Sequence, residues 1–380
     1  MMTLIFLFAG ILAASSAIMA VMYIPPLSIN ENSIREEKLQ DLNSWLSRLN
    51  DKDRFSGSVL LAKGDKILFS KSYGFQDIAE TKSLAENSSF NLASVSKQFT
   101  AMAIVLLKYQ EKLAYKDSIT KYIPELNLYK EVTIENLLHH TSGIPDYISI
   151  ASINWDESEI LKTSDVIAIL KDNKELKFSP GEKYDYSNSG YILLAEIVAR
   201  ASGVTFSEFM KNNVFIPAEM NYTTVFNLLS EDEPENRVFG FKKNHWIFGR
   251  KKQVKDLNYF DGVVGDGGIY SSAKDLYQWS QAITKEKVVP QEEYDLAFES
   301  GRLRDGSKTG YGYGWFIKGE GIVEHAGGWQ GFASYIYRDV STDSLIVVLD
   351  NSSNIFRVTS HGFRINSICL NLQKLMNEID

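Results

Sequence analysis

A serine hydroxyl attacks a carbonyl only when a base takes its proton, and Ser94-Val95-Ser96-Lys97 offers such a pair in one short segment. The stretch that follows, Phe99 to Leu107, is almost wholly apolar and predicts a helix buried on all sides. Ser94 and Lys97 then share a face, one turn apart. Burial strips water from the lysine ammonium and moves its pKa down toward values useful for a base. A serine at a helix N-terminus also has backbone N–H groups and the positive dipole end near the reacting carbonyl. The same spacing recurs at Ser271-Ser272-Ala273-Lys274 without an apolar run behind it, which reads as a helix N-cap in an exposed turn.

Two other segments can complete that chemistry. Tyr186-Ser187-Asn188 follows a Ser179-Pro180-Gly181 loop signal, and helix resumes at Gly190. A phenol beside an ammonium ionises more easily and can shuttle protons. Asn188 can hold the lysine and donate to a substrate carbonyl. Taken alone, Ser187, Asn188 and Ser189 read as turn and capping residues. The third segment, His325-Ala326-Gly327-Gly328-Trp329-Gln330-Gly331, ends a strand. Its glycines admit a substrate backbone close to the strand edge. The Gly328 N–H, paired with that of Ser94, can form an oxyanion hole. In isolation the segment reads as a glycine-rich hairpin turn with a half-buried histidine.

These segments need elements to carry them. Ile34 to Leu49 has helical apolar spacing, and strands at Gly57–Ala62 and Lys66–Ser70 form a hairpin through Lys63-Gly64-Asp65. From about 90 to 260 the pattern is mostly helical, with helices at Ile134–His140, Ser164–Lys171 and Gly190–Ala201. The basic, aromatic stretch Phe241–Lys255 reads as a solvated hairpin rather than a substrate-facing loop. Strands return at Tyr313–Ile317, Gly321–His325, Ala333–Arg338 and Ser344–Leu349, before a closing helix at Phe356–Met376. Gly310-Tyr311-Gly312-Tyr313-Gly314-Trp315 lacks the lysine and strand–helix context of a nucleotide loop, and reads as a strand lining the site. The expected class is α+β. An antiparallel sheet with flanking helices comes from about 33–90 and 262–380, and a helical lobe of about 91–261 is inserted between.

The 380 residues carry 40 Lys and Arg against 48 Asp and Glu, a net charge of -8, which argues against nucleic acid as a partner. Residues 1–25 are uncharged and largely apolar, and predict a signal peptide or an N-terminal membrane anchor, hence an extracytoplasmic protein. The single cysteine, Cys369, cannot form an internal disulfide and reads as a small buried hydrophobe. Among five histidines, His139 and His140 read as structural, and His245 and His361 as surface or packing residues. No metal-binding motif and no Gly-x-Ser-x-Gly elbow is present, so neither a metal nor any other cofactor is expected.

The three segments, in this order, resemble the serine β-lactamase and penicillin-binding protein superfamily, on its class C β-lactamase, DD-peptidase and esterase branch. Ile119-Thr-Lys-Tyr-Ile-Pro-Glu-Leu126, Leu137-Leu-His-His-Thr-Ser-Gly-Ile144 and Gly267-Gly268-Ile-Tyr-Ser-Ser272 resemble that branch too, so the likeness runs from about 35 to 375. The resemblance implies acylation of Ser94, a base system of Lys97 and Tyr186, and substrate binding by Asn188, His325 and Gly327. It implies a small-molecule or peptidoglycan-derived substrate: an ester, an amide or a D-amino-acid peptide. The commonest lactamase version of the strand motif is Lys-Thr-Gly, whereas this chain has His325 and Ala326, so weak β-lactamase activity is expected. Histidine at this point also occurs in the peptidase branch. The alternative is a sensor or binding module that acylates without efficient turnover. If His325 contacts a substrate carboxylate, affinity should rise as pH falls through its pKa.

Overall fold

The structure is a computed structural model describing residues 24–379 apart from 174, 232, 247, 248 and 353–360. Residues 1–23 of the expected leader, and the start of the expected closing helix, lie outside the described residues. In chain order the helices are α1 (Arg35–Asp51), α2 (Lys97–Tyr109), α3 (Ile134–Leu138), α4 (Tyr147–Asn154), α5 (Thr163–Asp172) and α6 (Asn188–Ser202). Then come α7 (Phe206–Met210), α8 (Ala273–Thr284), α9 (Gln291–Ala297) and α10 (His361–Met376). The strands are β1 (Gly57–Lys63), β2 (Lys66–Tyr73), β3 (Phe90–Asn91), β4 (Thr224–Val225), β5 (Phe241–Trp246) and β6 (Gly249–Val254). They continue as β7 (Ile269–Ser271), β8 (Phe316–Gly319), β9 (Ile322–Trp329), β10 (Phe332–Asp339) and β11 (Ser344–Asp350).

Six strands form one sheet in the order β2-β1-β11-β10-β9-β8, with every neighbouring pair antiparallel. The two chain ends meet at β1 and β11, where Val59 faces Val348. Period-two alternation sends Val59, Leu61, Ile346 and Val348 to one face, beneath Leu42, Trp45 and Leu46 of α1 and Ile368, Cys369 and Leu372 of α10. Leu60, Val347 and Leu349 point the other way, into a core shared with α2, α6 and α8. Cys369 is buried on the α1–α10 face, as expected. The basic stretch folds as the β5–β6 hairpin. The strand expected at Tyr313 begins only at Phe316, because Gly310 and Gly314 adopt φ of 74° and 78° and hold the preceding segment in turns. Gly314 needs that freedom: a Cβ there would lie 2.5 Å from the Gln98 nitrogen, at the start of α2.

Two features position the site. Between β3 and α2, Ala93–Ser96 forms a 3-10 turn, so Ser94 precedes the α-helix rather than opening it. In 3-10 geometry residues i and i+3 eclipse, which brings Lys97 over Ser94 more directly than an α-turn does. At the sheet edge, β8 pairs only with Ile322, Val323 and Glu324, leaving the His325–Trp329 half of β9 as an outer edge among the described residues. The second Ser-x-x-Lys copy behaves as a cap: Ser272 Oγ accepts from the Asp275 N–H at the start of α8. Ser271 and Ser272 are fully buried rather than exposed, since β7 delivers them into the core.

Candidate active site

Lys97 is completely buried, yet its ammonium has three acceptors. Nζ lies 3.1 Å from Ser94 Oγ, 3.0 Å from Asn188 Oδ1 and 2.7 Å from the Asp266 carbonyl oxygen. Desolvation dominates and carries its pKa down to about 8, with Asp266 and Asp146 pulling the other way. A useful fraction of the amine is therefore neutral near physiological pH. Serine and lysine are placed for proton transfer.

Tyr186 and Asn188 reach the same point from the loop leading into α6. Ser187 caps that helix, and the Asn188 N–H donates to Asp146 Oδ2 at 2.7 Å. Asp146 also caps α4 through the Ile148 N–H, so one carboxylate orients two helix starts around the lysine. The centroid of the Tyr186 ring lies 5.0 Å from Lys97 Nζ. Its hydroxyl is buried with no hydrogen-bond partner among the described residues, while Ser94 nearby eases its ionisation. Burial outweighs that and pushes the phenol above its ordinary value. The easier ionisation expected beside an ammonium is thus reversed by desolvation: Tyr186 rests as a neutral phenol.

The strand motif divides between the pocket and the core. Gly328 and Trp329 line a pocket with Ser94, Tyr186, Asn188 and Asp266. His325 and Gly327 point inward instead. His325 is 1% exposed, its Nδ1 donates to the Ala326 carbonyl at 2.7 Å, and Nε2 accepts from the Tyr311 hydroxyl at 3.0 Å. Burial, with help from Lys97, pushes its pKa down to about 3, so the ring is neutral. This corrects the expected contact between His325 and a substrate carboxylate, because both ring nitrogens are committed behind the strand. Gly327 likewise acts through what it lacks: a Cβ there would collide with the Leu92 carbonyl oxygen at 2.3 Å. The Gly310–Trp315 segment supplies Tyr311 to that buried layer rather than a strand to the pocket.

Sequence reasoning missed several site residues. His140 has φ 56° and a fully buried ring whose Nδ1 accepts from the Ser187 N–H at 3.1 Å. Its centroid lies 4.2 Å from that of Tyr186, so it is structural in a way that bears on the site. His139 meets the Tyr311 carbonyl at 3.0 Å. Asp146, Tyr147, Asp261 and Asp266 carried no motif signal; Asp266 stands directly before the Gly267-Gly268 pair. Among the described residues no group of three metal-ligating side chains converges.

The β-lactamase family model matches residues 40–366. Penicillin-binding protein 4* of Bacillus subtilis (strain 168) is 35% identical over 331 residues, covering 84% of this chain and 73% of that protein. The crystal structure of a penicillin-binding protein from Bacillus halodurans superposes with a TM-score of 0.73 at 25% identity, covering 87% of this chain and 98% of that one. D-amino acid amidase from Ochrobactrum anthropi SV3 shares the fold, with a TM-score of 0.72 at 20% identity over 90% of this chain and all of that one. A buried lysine held against a serine beneath an open strand edge, on this sheet and across this span, makes the chain a serine hydrolase of the β-lactamase family.

Proposed function

We propose that Ser94 is the nucleophile of an acyl-enzyme cycle on esters, amides or D-amino-acid peptides. Neutral Lys97 takes the Ser94 proton as Oγ bonds to the carbonyl carbon. The N–H groups of Ser94 and Gly328 then hold the developing oxyanion. Tyr186 donates its proton to the departing amine or alkoxide, and the Lys97 ammonium restores it. Water attacks the ester by the same route in reverse, returning a proton to Ser94. Asn188 keeps its carbonyl end on Lys97 and has its amide N–H groups left to donate to the substrate. The observation that carries this reading is the 3.1 Å contact between a serine hydroxyl and a lysine whose pKa falls to about 8.

β-Lactam turnover is weak on this reading, because neutral His325 supplies no cation where the lactamase motif has lysine. The uncharged, apolar first 25 residues support export, with the leader either removed or kept as an anchor. A panel of short-chain nitrophenyl esters, nitrocefin and D-Ala-D-Ala peptides tests the reading. Ser94→Ala should abolish turnover of every accepted substrate while leaving the thermal transition in place. Undiminished turnover in that variant refutes it.

A further inference from the structure

In the cycle proposed above, Lys97 becomes an ammonium in a completely buried position. Its three hydrogen bonds orient that charge without neutralising it. Each acceptor is uncharged: the Ser94 hydroxyl at 3.1 Å, the Asn188 amide oxygen at 3.0 Å and the Asp266 backbone carbonyl at 2.7 Å. An ammonium has three donors, so none is left over for a carboxylate. A buried cation is costly unless an anion lies close to it. The need grows during acylation, because Ser94 Oγ turns from a hydroxyl into an ester oxygen, a poorer acceptor.

The groups facing Lys97 narrow the choice of anion. Tyr186, before α6, and Tyr191, within it, present their rings 5.0 and 5.7 Å from Nζ, and burial keeps both phenols protonated. His140, after α3, and His325, on β9, are held neutral by burial and by the lysine itself. Two carboxylates remain, Asp146 before α4 and Asp266 before β7. Asp146 is committed to the Ile148 and Asn188 N–H groups at 3.1 and 2.7 Å. Asp266 is placed differently. Its own carbonyl touches Nζ, and its Oδ2 accepts the Tyr147 hydroxyl in a long 3.2 Å bond. Tyr147 is fixed in turn, being 2% exposed with its N–H donating to Ser189 Oγ at 2.8 Å. The carboxylate is therefore oriented by a neutral group and keeps its charge for the lysine.

We propose that the Asp266 carboxylate is the counter-ion of the Lys97 ammonium and keeps the serine proton on the lysine while the acyl bond forms. The inference rests on the base role of Lys97 proposed above and adds the residue that supports it. The Asp266 carboxylate touches no reacting atom and acts through Lys97, as a positioning residue. The coupling runs both ways: the carboxylate pulls the lysine pKa up, and the ammonium pulls the carboxyl pKa down.

The test is the pH profile of kcat/KM on a neutral nitrophenyl ester for the wild type, Asp266→Asn, Asp266→Glu and Tyr147→Phe. Asn keeps the backbone carbonyl and an acceptor for the Tyr147 hydroxyl, so a purely structural role leaves the midpoint of the profile in place. Loss of the counter-ion should move that midpoint about one pH unit below the wild type's and lower the plateau by about threefold or more. Asp266→Glu keeps the charge and should return the midpoint toward the wild-type position. Tyr147→Phe removes the hydroxyl that eases Asp266 ionisation and should shift the midpoint down by less. The inference is overturned by a midpoint that stays or rises in Asp266→Asn, or in Tyr147→Phe should the first variant not fold. A midpoint as low in Asp266→Glu as in Asp266→Asn overturns it as well, and each of these results leaves Ser94 acylation intact. Ester turnover that survives Ser94→Ala sinks the underlying reading instead.

Discussion

A Cβ on Gly327 would lie 3.0 Å from the backbone nitrogen of Ser94 and 2.4 Å from Ser334 Oγ, so β9 rests directly on the Ala93–Ser96 turn. Any side chain at 327 must lift the strand off that turn, and Gly328 with it. Gly327→Ala should lower kcat/KM by about tenfold or more and destabilise the fold by about 1–3 kcal/mol, the usual range for overpacking. Gly319→Ala is the control, since the nearest atom there lies 4.0 Å away. Similar losses in both variants would show that the close approach at 327 is unimportant.

The buried lysine sets the pH dependence. With its pKa lowered from 10.5 to about 8, kcat/KM on a neutral ester should climb with pH and reach half its plateau near pH 8. Stability shares the sign: between about pH 8 and 10.5 the unfolded chain holds a proton that the folded chain has shed, so stability rises with pH. Lys97→Arg keeps a permanent charge and should remove activity at every pH. An activity profile flat from pH 6 to 9 would contradict this role.

His325 leads to the opposite of the expectation based on its residue type. Its pKa near 3 means that affinity for carboxylated donors should not improve as pH falls through the ordinary histidine range. Instead the buried neutral ring contributes stability that is full above about pH 6.5 and lost as pH falls toward 3. Thermal melts of the wild type should therefore fall more steeply between pH 6.5 and 4 than melts of His325→Gln. Parallel curves would mean that the ring is not held neutral.

His140 positions the Tyr186 loop from both its ring and its backbone, because the Asp185 N–H donates to its carbonyl at 2.9 Å while its Nδ1 takes the Ser187 N–H. His140→Leu should cut kcat by about tenfold or more and leave the Ser187 donor unpaired, at a cost of about 1–3 kcal/mol. His140→Asn returns an acceptor near Nδ1 and should recover part of the kcat. Equal kcat in the two variants would reduce His140 to a packing residue.

Much of the fold was legible because its signals are local and apolar. The continuous apolar runs around Val59 and Val348, and the apolar block after Lys97, each declare a buried element. The Ser94–Lys97 pair was readable for the same reason: its neighbours fix its environment. The acidic half of the pocket was not. Asp146, Asp261 and Asp266 meet Lys97 and Trp329 only after long-range folding, and no local spacing marks a carboxylate that will lose its solvent. His325 shows the converse failure, since strand alternation, not residue type, decided which way it faces. Two glycines of left-handed conformation likewise broke a segment whose aromatic alternation reads as a strand.

The covalent step is the account's central claim, and mass spectrometry of a quenched reaction tests it most directly. Protein mixed with a slowly hydrolysed ester should gain the mass of one acyl group. Proteolysis should place that group on the peptide containing Ser94, and Ser94→Ala should gain nothing. Continued turnover with no adduct, or an adduct on another residue in the wild type, would contradict the account.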